Sequence, residues 1–131
     1  LVKDKALLDA AYDDPLGVTA AFNRNLLRHV NARLDADFAI GDWQHVAFYN
    51  IESARIEMHL EARCALTVSW PEENGSRSRS FAKGERVHTE NSWKYSPDGF
   101  ATLLGNAGFT DIQVWTDPRR WFALFFARKA A

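Results

Sequence analysis

At 131 residues, 47% apolar and 25% charged, the chain has the size and make-up of one folded domain, not of a disordered segment. A net charge of −1 with no long basic run offers no phosphate-tracking surface, so no nucleic-acid partner is expected. No stretch approaches the ~18 consecutive apolar residues of a membrane span, no signal-peptide pattern opens the chain, and the single cysteine, Cys64, excludes an internal disulfide.

Ala6, Leu7, Ala10 and Ala11 recur at helical spacing and predict a short helix over residues 4–12. Asp13-Asp14-Pro15 ends it. Asp14 as N-cap and Pro15 at the first helical position start a second helix running to Leu34, with Val18, Phe22, Leu26 and Val30 as its apolar stripe. From Gln44 the period becomes two. Residues 45–51 read as a strand, 50–53 as a turn, and 55–70 as a long alternating run. Ile56, Met58, Leu60 and Ala62 fall on one face of that run, Arg55, Glu57, His59 and Glu61 on the other. Cys64, inside the run, reads as a buried, inert thiol, and sparse cysteine fits a reducing, cytoplasmic setting. Residues 71–75 carry strong breakers. Strands 76–82 and 85–92 then complete an antiparallel meander carried by the two helices.

The last 36 residues change character. Ser96 caps a helix with Pro97 at its first position, and Gly108 sits where a helix wants a left-handed residue. Strand 109–116, turn 117–120 and strand 121–127 follow. The final strand alternates Trp121, Ala123 and Phe125 with Phe122, Leu124 and Phe126, so both faces are apolar. Such a strand belongs inside a sheet covered on both sides. One local helix cannot supply both layers; the rest would come from the distant helices, another chain or residues absent here, and absence is the expectation.

From the residues alone, several side chains invite chemistry. Glu90 and Ser92 lie two apart in a strand and share a face. They could bind two ring nitrogens or form a solvated strand face. Tyr12 ends the first helix and Thr19 lies in the first turn of the second, where amides and hydroxyls suit an anion. Tyr12 could equally be a packing residue and Thr19 a helix starter. Met58 fits a pocket wall or the Ile56/Leu60 core. His45, His59 and His88 have no compact ligand spacing and Cys64 has no CxxC partner, so no metal is expected.

Ala107-Gly108-Phe109, between a helix and a closing hairpin, resembles the end of a class I methyltransferase. Ala10-Ala11-Tyr12-Asp13-Asp14 with Gly17-Val18-Thr19-Ala20-Ala21-Phe22-Asn23 resembles the histidine-specific methyltransferases that make hercynine on the route to ergothioneine. So do Ala47-Phe48-Tyr49-Asn50, Arg55-Ile56-Glu57-Met58-His59-Leu60, His88-Thr89-Glu90-Asn91-Ser92-Trp93-Lys94-Tyr95 and Trp115-Thr116-Asp117-Pro118. The resemblance implies an α+β fold. Residues 1–93 would form a histidine-binding lobe, and residues 94–131 the closing helix and antiparallel hairpin of a Rossmann-like catalytic sheet. It implies an enzyme that transfers methyl groups from S-adenosylmethionine to the α-amino nitrogen of L-histidine, with the donor held mainly upstream of this chain. By itself the chain is then expected to be inactive and to self-associate through uncovered apolar surface. Glu90 and Ser92 would read the imidazole, Tyr12 the carboxylate, and Thr19 and Met58 would line the pocket. The resemblance assigns no catalytic residue here. Trp93 departs from the tyrosine expected there. An amino-acid-binding module without catalysis, or a methyltransferase for another amino acid, would share these features.

Overall fold

A computed structural model describes residues 1–130. Asp4 opens helix α1 (Lys5–Tyr12): its Oδ1 accepts the amides of Ala6 and Leu7 at 2.9 and 3.3 Å. Helix α2 spans Val18–Leu34, three residues later than Pro15 predicts. Gly17 precedes it at φ 71°, in the left-handed region that favours glycine, and Pro15 stays in the connecting turn. Asp14 still caps the helix, reaching across that turn to the amides of Val18 and Thr19 at 2.9 and 2.8 Å. These bonds hold its carboxyl down at about 2.

Five strands follow: β1 (Trp43–Asn50), β2 (Arg55–Ala62), β3 (Leu66–Glu72), β4 (Gly75–Phe81) and β5 (Arg86–Trp93). They do not form the expected meander. Strands β1, β2 and β5 make one antiparallel sheet in the order β1-β2-β5, while β3 and β4 pair only with each other. The run predicted over 55–70 breaks at residues 63–65, where the Arg63 amide leaves the ladder for the carbonyl of Asp42. Cys64 is therefore exposed on a bend, contrary to its reading as a buried thiol. Pro71 stays inside β3, opposite Ser76, as a two-stranded ribbon permits. Only Glu73 and Asn74 remain as the turn.

Core packing follows the predicted alternation. Ile56 and Leu60 are fully buried, and Met58 and Ala62 nearly so. Leu60 and Ala62 join Leu27, Trp43, Val68 and Phe81 in a cluster that ties α2 and the ribbon to the sheet. Trp43 meets Phe81 edge-on at 4.9 Å. Ile56 and Met58 join Leu8 and Tyr49 in a second cluster under α1. Asp9 fixes α1 to β1 through the Tyr49 amide, at 2.7 Å.

The C-terminal segment comprises α3 (Pro97–Asn106) and the hairpin β6 (Phe109–Thr116) and β7 (Ala123–Lys129). Strand β7 begins two residues later than expected, because the Asp117 carboxylate takes the amides of Arg119, Trp121 and Phe122 and holds them in the turn. Helix α3 covers one hairpin face, with Phe100 against Phe125 at 4.7 Å. The other face is open: Trp115, Leu124 and Phe126 are 51–56% exposed, so this strand is not buried on both sides within residues 1–130. The architecture is α+β, with three α-helices and antiparallel sheets among the described residues. Among the described residues, no helix is long and apolar enough to cross a membrane.

Candidate functional site

The register of β2 on β5 pairs Met58 with Glu90 and Ile56 with Ser92, so both polar side chains stand on the helix-covered side of the sheet. Helix α1 delivers Tyr12 to the same place, packed against the Leu8/Ile56/Met58 cluster, and the start of α2 delivers Thr19. Tyr12, Thr19, Met58 and Glu90 line one open recess of about 310 Å³ with Ala11, Val18 and Phe22. Ser92 stands at its edge, where Ser92 Oγ and Tyr12 Oη share a hydrogen bond of 2.8 Å. Glu90 also borders an adjoining cavity of about 190 Å³ under α2. The structure thus brings the five predicted residues together. Met58 is both things its position allows, a core residue 2% exposed and part of the recess wall.

Three further residues shape this corner. Lys94 Nζ donates to Tyr12 Oη at 2.6 Å and to Ser92 Oγ at 2.7 Å. It also lies 4.5 Å from the Tyr12 ring centroid. Burial and the nearby Glu90 push the Tyr12 phenol up, but hydrogen bonds from Lys94 and Ser92 outweigh them and leave it below its ordinary value. Behind the recess, His45 Nε2–H donates to the Tyr12 carbonyl at 2.7 Å. Its Nδ1 must then accept, and Asn23 Nδ2 donates to it at 3.0 Å. Asn23 is 2% exposed and also donates to the His59 carbonyl at 2.9 Å. This chain of bonds locks the last turn of α1, and hence Tyr12, to β1 and β2.

Lys94 could have been found in the sequence. It continues the two-residue spacing of Glu90 and Ser92, which points it the same way. Asn23 and His45 carry no such signal, because their meeting depends on how α2 crosses the sheet. Trp93 leaves β5 on the side away from Ser92, with the Arg55 guanidinium 5.1 Å from its ring. His88 does not join Glu90. A bulge in β5 beside Met58/His59 leaves Thr89 unpaired, with its hydroxyl donating to the Met58 carbonyl at 2.9 Å. The bulge reverses side-chain parity, so His88 faces His59 on the opposite surface.

The recess therefore combines an unpaired carboxylate, an ammonium bridging two hydroxyls, and an apolar floor. Such a set suits a small zwitterion carrying a polar ring. The chain is 45% identical to the histidine N-alpha-methyltransferase of Mycolicibacterium smegmatis over 127 residues, 97% of this chain and 39% of that protein. It is 44% identical to the protein of the same name from Mycobacterium tuberculosis over 131 residues, 98% of this chain and 40% of the relative. Ergothioneine biosynthesis protein 1 of Schizosaccharomyces pombe is 31% identical over 104 residues, 79% of this chain and 13% of that protein. The chain thus spans about two fifths of the length of its mycobacterial relatives. Residues 1–129 match the model of the histidine-specific, S-adenosylmethionine-dependent methyltransferases, and the chain belongs to that family.

Proposed function

We propose that this chain is the histidine-binding part of an enzyme that transfers methyl groups from S-adenosylmethionine to the α-amino nitrogen of L-histidine, giving hercynine. Residues 1–93 form the substrate lobe. Residues 94–131 close a Rossmann-like sheet whose other strands, and the helices that cover the open face of β6–β7, belong to the rest of the longer protein. The observation that carries this reading is the convergence of Tyr12, Thr19, Met58 and Glu90 on one recess, with Ser92 bonded to Tyr12 at its edge.

The family resemblance assigns Glu90 and Ser92 to the ring and Tyr12 to the carboxylate, and donor and acceptor counts fit those roles. A neutral imidazole has one N–H and one lone pair. Glu90 accepts the N–H. Ser92 already accepts from Lys94, so its own O–H is free to turn from Tyr12 to the ring lone pair. Lys94 spends two of its three protons on Tyr12 and Ser92 and keeps one for the substrate carboxylate, which Tyr12 also contacts. An amino acid without ring nitrogens leaves these groups unpaired, at ~1–3 kcal/mol each. That loss is the basis of discrimination.

This chain does not fit the methyl donor. Its left-handed glycines, Gly17, Gly75, Gly84 and Gly108, open α2, begin β4, precede β5 and precede β6. None joins a strand to a helix, where a glycine-rich loop would let the donor's methionine and ribose approach the backbone. The chain's own contribution is to fix the ring and the carboxylate so that the amine is held in one place.

The test is methyl transfer by the full-length protein containing this chain, with isotopically labelled S-adenosylmethionine and L-histidine, L-tryptophan or L-tyrosine. Label on the α-nitrogen of histidine is the expected result. Label on another amino acid, or histidine binding without transfer, would overturn it.

A further inference from the structure

We propose that the outer face of the β1-β2-β5 sheet, opposite the recess, carries a site for a divalent first-row transition ion of the zinc class, held by Glu57, His59 and His88. The inference stands apart from the methyl-transfer reading and uses none of its residues.

Glu57 and His59 are two apart on β2 and share a face, and the Thr89 bulge turns His88 onto that face opposite His59. One ligand atom from each of the three lies within 4.8 Å of the others, and His59 Nε2 is 3.8 Å from Glu57 Oε2. Bonds of ~2.0–2.2 Å to zinc set neighbouring ligand atoms roughly 3.3 Å apart, so the ligands must draw together by about 1.5 Å. The exposed His88 must turn out of its stack on His59 to provide this.

Glu57 and His88 are each held by hydrogen bonds, as metal ligands are. Glu57 Oε1 accepts Arg55 Nε at 2.9 Å, Arg55 Nη2 at 2.7 Å and Asn50 Nδ2 at 3.1 Å, which leaves Oε2 turned to His59. His88 Nε2–H donates to the Glu90 carbonyl at 3.1 Å, so its Nδ1 carries the lone pair. The His59 ring is stacked between Phe48, at 5.5 Å and 3°, and His88, at 4.6 Å and 27°.

A second observation is independent of this geometry. His59 is only 9% exposed, yet its Nδ1 has no hydrogen-bond partner and its Nε2 has no hydrogen bond, only the distant Glu57 oxygen. With the proton on Nδ1, the neutral ring turns the Nε2 lone pair toward Glu57, and a cation there would take it up. Of the nearby positive charges, Arg55 is engaged by Glu57 and Arg86 by Glu61 at 2.6 Å, so neither competes as a free cation. Two imidazoles and one carboxylate with an open side suit zinc, cobalt or ferrous ions, whereas magnesium and calcium prefer all-oxygen cages.

The experiment titrates Zn²⁺ alone, and Co²⁺ alone, into the metal-stripped full-length protein, followed by calorimetry and by cobalt visible absorption. One saturable equivalent is expected, weakened at least tenfold by His88→Ala and by Glu57→Gln and unchanged by His29→Ala. His88 is exposed, so its variant keeps the fold, which circular dichroism checks. No saturable uptake, or uptake unmoved by His88→Ala and Glu57→Gln, overturns the proposal.

Discussion

With its ammonium 2.6 Å from Tyr12 Oη, Lys94 stabilises the phenolate form of a half-buried tyrosine. Lys94→Met removes the ammonium and its two hydrogen bonds and leaves burial and Glu90 opposed only by the Ser92 bond. The Tyr12 titration midpoint should then rise, read by ultraviolet absorbance against Tyr12→Phe. An unmoved midpoint would contradict the assignment. Because the folded-state value is depressed, the associated stability is present above the ordinary phenol value of 10 and is lost as pH falls through the folded value. It contributes nothing at neutral pH. At this scale much of the site was legible. Glu90, Ser92 and Lys94 follow strand parity, and Tyr12 and Thr19 follow helix ends. What could not be read was the Asn23–His45–Tyr12 relay, because its members are 22 and 33 residues apart and meet only through packing.

Among the elements, the start of α2 rests on Asp14, whose carboxyl is held at about 2 by the amides of Thr19 and Val18. Its cap is complete above the ordinary value of 3.8 and is lost as pH falls from there toward about 2. Asp14→Ala should lower the melting temperature at neutral pH and flatten the loss of stability across that acid window. Equal slopes in the two proteins would refute the cap. Packing within the sheet makes a sharper contrast. Leu60 is fully buried, so Leu60→Ala should cost ~2–5 kcal/mol. Leu124 is 56% exposed, and Leu124→Ala should change stability by less than about 0.5 kcal/mol in denaturant unfolding of the chain. Periodicity located nearly every element, since alternation and capping are local. The break at residues 63–65 and the Thr89 bulge lie in stretches with no glycine or proline, and tertiary pairing decides both. That bulge also hid the Glu57–His59–His88 cluster, because linear spacing places His88 beside Glu90.

For the molecule as a whole, the open β6–β7 face is the largest feature that the described residues leave uncovered on the C-terminal hairpin. Trp115, Leu124 and Phe126 lie on one surface and are each more than half exposed. Contiguous apolar surface of this kind marks an interface. The isolated 131-residue chain should self-associate with rising concentration in sedimentation velocity, and Leu124→Lys with Phe126→Lys should abolish it. A wild-type chain that stays monomeric throughout would sink that expectation. The same isolated chain should show no methyl transfer, and turnover by it with histidine and donor would count against the division of labour proposed above. The composition of the last strand announced an apolar layer on each face, and the reading proposed above assigns the cover of the second face to the rest of a longer protein.

The most direct check on the recess is a calorimetric titration of L-histidine into the full-length protein beside its Glu90→Ala variant. Removing a charged hydrogen-bond partner of the ring costs ~1.5–3 kcal/mol, so affinity should fall roughly ten- to a hundredfold. Equal affinity in the two proteins would mean that Glu90 does not meet the imidazole, and the histidine site would have to lie elsewhere.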